Sequence, residues 1–353
     1  MPAPLPIFDG HNDLLLRLYR KDPAHAVRIF LEGDGAGHLD LPRMRRGGFA
    51  GGFFAIFVPE PDDDPRADDR MVNAAYDLPL PTPLERSYAQ GATLTMAAIL
   101  LQVERESRGA VRICRAPADL DACRDSGALA AILHVEGAEA IDPNLHMLEV
   151  LHAAGLRSLG PVWSRNNIFG NGVPFRFPST GDIGPGLTDH GRALVRRCNR
   201  LGIMVDLSHL TEAGFWDVAR ISDAPLVATH SNAHAVSPHS RNLTDRQLDA
   251  IAESRGMVGV NFATSFIRPD GRKDARTSLD ELLRHFDHLI ERLGVDGVGL
   301  GSDFDGATVP QAIGDVTGLP RLVDAMRRHG YDDATVRKLA YENWVGLLKR
   351  TWA

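Results

Sequence analysis

Side chains with the chemistry of metal ligands or proton carriers recur in one kind of place along this sequence, the carboxyl end of a short apolar run. They are His11 and Asp13 in IFDGHND, Glu136 in LAAILHVEG, His209 in IMVDLSH, His230 in PLVATHS and Asp303 in VGLGSDFDG. Neutral imidazole and carboxylate are ordinary ligands of zinc. A carboxylate at the end of a buried strand is costly unless it is paired or bound to a cation. The strand period of two places Asp9, His11 and Asp13 on one face. Each residue also has a plainer reading. His209 or His230 alone could be a satisfied core histidine, and His11 with Asp13 a polar strand end. His134 shares the face of Glu136 one layer deeper, so it competes with Glu136 as a ligand or is a hydrogen-bonded core residue. Of Asp303 and Asp305, one could cap the following helix. Asp303 leaves the strand first and is the better proton-transfer carboxylate, with Asp305 structural. The joint occurrence of these residues, rather than any one of them, points to a metal site.

Such residues meet only if the strands that carry them are parallel and adjacent. Eight short apolar runs are visible: Ile7 to Asp13, Gly52 to Pro59, Leu129 to Glu136, Leu156 to Trp163, Ile203 to His209, Pro225 to His230, Met257 to Phe262 and Gly297 to Phe304. Helical periodicity lies between or after them, over Glu85 to Arg105, Asp189 to Leu201, Thr244 to Glu253, Ser278 to Leu293 and Leu319 to His329. Eight strand-helix units predict an α/β fold, a (β/α)8 TIM barrel forming one domain over residues 1–353, with a doubly wound open sheet as the alternative. Barrel enzymes build their sites at the carboxyl ends of the strands, where these ligands would converge. Two segments that follow strands stand apart. Pro59 to Pro83 is acidic and proline-rich and is either a disordered loop or part of the mouth. Asn166 to Pro185 is rich in Gly and Pro with interleaved Phe and reads as an active-site loop.

Bulk composition excludes several classes. A net charge of -7 and a pI near 6.0 give no basic footprint for nucleic acid. No apolar run is long enough to span a bilayer, so no membrane partner is expected. The amino terminus enters a strand too early for a secretory signal, which makes a cytoplasmic location the expectation. Cys114, Cys123 and Cys198 are odd in number and far apart in sequence, and are expected to be reduced and inert. A homodimer is compatible with a sequence otherwise nearly silent on oligomeric state.

Read in order, FDGHND, HVEGAEAI, VDLSH, ATHSNAHAVSPHSRNLTD and GSDFDG resemble the renal or membrane dipeptidase family of the amidohydrolase superfamily. The resemblance runs from the first strand to the carboxyl-terminal helix and includes LTDHGRALVRRCNRLGIMVDLSHL. It implies a soluble, bacterial zinc dipeptidase with two divalent ions: His11 and Asp13 on one, His209 and His230 on the other, Glu136 bridging them. It also implies that Arg241, in SRNLTD, grips the substrate's terminal carboxylate and that Asp303 shuttles the proton. Two zinc ions some ~3.5 Å apart would lower the pKa of a shared water and so supply a bridging hydroxide to attack the amide. A guanidinium fork suits a carboxylate.

The chain departs from the family at the fourth strand, where members commonly carry a histidine that polarises the substrate carbonyl. Here the strand reads LRSLGPVWSRNN and puts Trp163 at or near that position. Either the metal polarises the carbonyl alone, or Arg165, Asn166 or Asn167 supplies the donor, or the substrate differs; Trp163 could equally be packing. Trp163 and Asn166 are therefore candidate substrate contacts, and Phe169, Phe175 and Phe177 candidates to cover bound substrate. Two other functions compete. A different binuclear amidohydrolase would act on a non-dipeptide amide or ester, often with a bridging carboxylated lysine, but no lysine lies between Lys21 and Lys273. A barrel that only binds a ligand predicts a broken ligand set, and the set is whole.

Overall fold

A computed structural model describes residues 5–61 and 67–352. Eight parallel strands form the barrel: β1 (Ile7–Asn12), β2 (Phe49–Phe57), β3 (Leu129–Glu136), β4 (Leu156–Gly160), β5 (Met204–Val205), β6 (Val227–Ser231), β7 (Met257–Asn261) and β8 (Val298–Gly301). Their hydrogen-bonded order is β5-β4-β3-β2-β1-β8-β7-β6. The Asp206↔Val227 bridge and the bond from Leu207 N to Val227 O (2.8 Å) join the two ends and nearly close the barrel. A three-residue strand, Val111–Ile113, pairs beside β3. The expected runs all become strands, although β5 keeps only two residues in regular pairing. The strands are buried on both faces, which is why they read as continuous apolar runs rather than alternating ones.

Two apolar layers hold the architecture. Inside the barrel, Phe8, Phe53, Ile132, Met204, Val227 and Met257 pack around Trp344, which rises from the helix Asn343–Thr351. Trp344 Nε1 donates to Leu300 O at 2.8 Å. The ring fits because glycine stands at positions 10 and 299, where a Cβ would lie 2.5 and 2.6 Å from it. Outside, the helices lay their apolar faces on the strands. Asp189–Arg200, Leu279–Leu293 and Leu319–His329 begin or end within a residue or so of the periodic segments in the sequence. No helix among the described residues is long and apolar enough to cross a membrane.

The two unusual segments meet. Tyr76–Asp77 pairs antiparallel with Arg176–Phe177, and Leu78 N donates to Phe175 O at 2.9 Å. A small apolar cluster of Met71, Tyr76, Leu78, Phe175 and Phe177 backs this ribbon, and Arg176 pairs with Asp77 at 2.6 Å. The described part of the acidic segment is thus tied down across the barrel mouth. Phe169 does not cover substrate as expected; it is fully buried in the layer between strands and helices. Cys114 and Cys123 are close in space despite their separation in sequence, with Sγ atoms 3.8 Å apart, and all three cysteines are buried free thiols.

Candidate metal centre and active site

Strand ends place the site. His11 lies in β1 and Asp13 follows it, Glu136 ends β3, His209 follows β5, His230 lies in β6 and Asp303 follows β8. Glu136 is the centre of the group. Its Oε2 lies 3.6 Å from His11 Nε2, and its Oε1 lies 3.0 Å from His209 Nε2 and 3.3 Å from His230 Nε2. His11 Nε2 is also 3.5 Å from Asp13 Oδ2, and His209 and His230 face each other Nε2 to Nε2 at 3.0 Å. Asp13 precedes the helix Leu14–Lys21 but makes no side-chain capping bond, so its carboxylate is left to the cluster. Asp9 does not join this face. The β1–β2 register slips between Asp9 and Asn12, and the Asp9 carboxylate takes the Ser302 N–H and hydroxyl, both at 2.7 Å.

Charge in this cluster is unbalanced. Burial raises Glu136 well above the usual carboxylate range despite the pull of His11, and Asp13 and Asp303 push the same way. Burial, then Asp13, holds Asp303 up at about 6. Burial alone would lower His11, but Glu136, Asp13 and Asp303 outweigh it and raise His11 to about 10. Burial drives His209 and His230 far below the imidazole range, with Arg241 and His11 acting in the same sense. Buried carboxylates beside neutral imidazoles want cations. Both ring nitrogens of His11 are buried without a hydrogen-bond partner among the described residues, as a ligand's donor atom would be. The donor set therefore fits divalent ions: His11, Glu136 and His230 make one compact group, and His11, Asp13 and Asp303 another.

A cavity of about 700 Å³ opens over the cluster, with Asp13, Glu136, His209, His230 and Asp303 on its wall. Trp163 also lines it, 4.7 Å from the Phe57 ring and 5.7 Å from His209. Arg165, nearly inaccessible, lies over the Trp163 ring, donates to Val58 O at 3.1 Å and pairs with Glu139 at 3.5 Å. Phe175 lines the cavity while Phe177 belongs to the ribbon above it.

The family model for membrane dipeptidases (peptidase family M19) matches residues 2–352. This chain belongs to the membrane dipeptidase family. It is 61% identical to a metallopeptidase from Rhodobacter sphaeroides liganded with a phosphinate mimic of the dipeptide L-Ala-D-Ala, with a TM-score of 0.97 over 99% of this chain and 100% of that one. A second solved structure, described as dipeptidase AC, a metallopeptidase of family M19, is also 61% identical, with a TM-score of 0.96 over 99% of each chain. Dipeptidase tcpJ of Claviceps purpurea (strain 20.1) is 27% identical over 97% of this chain and 76% of its own length. The expected fold, enzyme class and family stand.

Within this membrane dipeptidase fold some expected residues lie elsewhere. His134 sits below the cavity, its Nδ1 2.8 Å from Ser158 Oγ and its Nε2 3.7 Å from Asp206 Oδ2. Asn166 does not reach the cavity: its Oδ1 accepts from Gly172 N at 3.1 Å, and it lines a separate groove with Asn171 and Arg176. Arg241 is buried behind the wall, not on it; its Nη2 donates to His230 O at 3.1 Å and its guanidinium carbon lies 5.5 Å from the Phe266 ring centre. Its Nε has no hydrogen-bond partner among the described residues. Asp305 holds a loop, accepting from His38 N at 2.5 Å and Arg17 Nε at 3.1 Å. Sequence reasoning missed Asn261, whose Nδ2 donates to Asp303 Oδ2 at 2.9 Å. It ends MVGVN just as His209 ends its own run, so the same signal was present.

Proposed function

We propose that this chain is a zinc-dependent dipeptidase that hydrolyses the amide bond of dipeptides with a free C-terminal carboxylate, using two divalent ions at the strand ends. The observation that carries the reading is Glu136 between two nitrogen-bearing groups, Oε2 toward His11 and Oε1 toward His209 and His230. His11 and Asp13 would hold one ion, His209 and His230 the other, and Glu136 both. The dipeptide mimic bound by the R. sphaeroides relative supports a dipeptide substrate here. When bound, such ions would supply Lewis acidity and lower the pKa of water toward neutrality.

The rest of the chemistry belongs to the chain. Asp303, steadied by Asn261, takes the proton released on attack and returns it to the leaving amine. Arg241, a buried cation behind the wall beside His230, favours the substrate carboxylate at that end of the cavity through space rather than by direct contact. Trp163, Phe57 and Phe175 form the apolar wall for the first residue, and Arg165, which lines the cavity with its guanidinium over Trp163, is the donor that stands in for the family's fourth-strand histidine. The test is metal analysis of the purified chain and a dipeptide screen in both chiralities at the second residue. Two zinc ions per chain and hydrolysis lost on chelation are expected; hydrolysis indifferent to chelators overturns the reading.

A further inference from the structure

Behind His230 lies a chain of hydrogen bonds whose directions can be assigned. His230 Nδ1 is 2.9 Å from Thr229 Oγ1, and Thr229 Oγ1 is 2.6 Å from Asp206 Oδ2. The other carboxylate oxygen, Asp206 Oδ1, accepts the backbone N–H of Ser208 at 3.0 Å and of Thr229 at 2.8 Å. All three side chains are almost completely buried. A hydroxyl carries one proton, and Thr229 Oγ1 is placed to give it to Asp206 Oδ2, the carboxylate oxygen that no backbone N–H occupies among the described residues. Thr229 therefore donates to Asp206, and its oxygen must accept from His230 Nδ1–H. A neutral imidazole protonated on Nδ1 has a bare lone pair on Nε2, the nitrogen that faces Glu136.

We infer that Asp206 is a positioning residue that acts through the Thr229 hydroxyl to fix the tautomer of His230, keeping Nε2 free for a divalent cation. Metal-binding histidines are generally oriented by an acceptor on the second ring nitrogen. Here a hydroxyl stands between histidine and carboxylate and passes the direction on. The inference rests on the two-cation reading of the site. His209 has a hydroxyl partner as well, Ser164 Oγ at 2.8 Å from its Nδ1, but among the described residues no carboxylate hydrogen-bonds that hydroxyl to set the direction.

Asp206→Asn reverses the relay while keeping its shape. Two backbone N–H groups point at the Oδ1 position, so the amide oxygen must take that place and the NH2 must face Thr229. Thr229 then accepts from the amide, and its own proton has His230 Nδ1 as acceptor. His230 is thereby driven to carry its proton on Nε2, where the cation should bind. Thr229→Val removes the relay without touching a charge, and Thr229→Ser retains it.

The full-length chain, stripped of metal and labelled with nitrogen-15 in histidine, gives two readouts: Zn2+ affinity by competition with a chromophoric chelator, and the tautomer of His230 by NMR. Asp206→Asn and Thr229→Val should each lose about 10–100-fold in affinity at one of two sites, with Thr229→Ser near wild type. In metal-free Asp206→Asn the His230 signals should change from the Nδ1–H to the Nε2–H pattern. Wild-type affinity at both sites, or an unchanged tautomer, in Asp206→Asn overturns the relay. Should that variant not fold, Thr229→Val against Thr229→Ser decides by the same affinities. A wild-type chain that binds fewer than two ions defeats the two-cation reading instead, and the tautomer, which needs no metal, then decides the relay alone.

Discussion

Three non-glycine residues at the site adopt left-handed backbone, His209 at φ 67°, Asp303 at φ 59° and Asp305 at φ 66°. Such positions cost on the order of 1–3 kcal/mol each and persist where the surroundings impose them. At Asp303 the backbone N–H is held by His11 O at 3.0 Å and the carboxylate by Asn261. Asparagine tolerates this backbone, so Asp303→Asn should keep its metal while kcat falls about 100-fold or more; metal lost with activity would make Asp303 a ligand. The same variant exposes a pH effect. Asp303 titrates near 6 in the metal-free fold against 3.8 in an unfolded chain, so the folded state holds this proton more tightly. Its contribution to stability therefore falls as pH rises from about 4 to 6 and stays low above that. Melting of chelated protein should show Asp303→Asn gaining on wild type across that window. Arg241 yields a specificity prediction. Because Arg241 lies behind the wall, its pull on the carboxylate acts through space: a dipeptide should be cleaved about tenfold better than its C-terminal amide in kcat/KM, and Arg241→Ala should narrow that preference, while an unchanged preference would remove Arg241 from substrate recognition. At this scale the sequence was legible wherever a histidine or carboxylate ended an apolar run. Thr229, Ser164 and Asn261 escaped notice because hydroxyls and amides at strand ends are common and their partners lie far off in sequence, and Asp9 misled because a register slip cannot be read from a period of two.

Among the elements, the eight strands were readable because parallel strands buried on both faces leave unbroken apolar runs. The ribbon over the mouth was not. Its strands have two residues each, and pairing between positions 76–77 and 176–177 leaves no periodicity in either segment. The aromatic residues of the second segment looked alike in sequence, yet Phe169 went to the core, Phe175 to the cavity and Phe177 to the ribbon. The ribbon leans on one backbone position: Gly271, at φ 66°, accepts from Tyr76 Oη at 2.8 Å, and a Cβ there would lie 2.3 Å from the Phe177 ring. Gly271→Ala should displace the ribbon and raise KM while the barrel loses only about 1–2 kcal/mol. A drop in kcat with unchanged KM would separate the ribbon from substrate binding.

Across the whole molecule, the strands are not equally joined. β2 and β3 share seven registered pairs, from Gly51↔Ala130 to Phe57↔Glu136, whereas among the described residues β5 and β6 are joined by one backbone bridge, Asp206↔Val227, with the side-chain bonds of Asp206 to Thr229 and of Ser208 to His230 beside it. His209 and His230 stand on opposite sides of that thin seam, so a cation shared with Glu136 would act as a staple across it. Loss of metal should then be felt as a loosening of the barrel itself, and locally. Hydrogen exchange at the Leu207 amide, which bonds across the seam to Val227 O, should accelerate on chelation far more than exchange at amides between β2 and β3. Uniform acceleration would mean that the metal stabilises the fold only as a whole. If the effect is local, a bound cation would brace the one backbone bridge that closes the barrel, and the chelated chain would part first along that line.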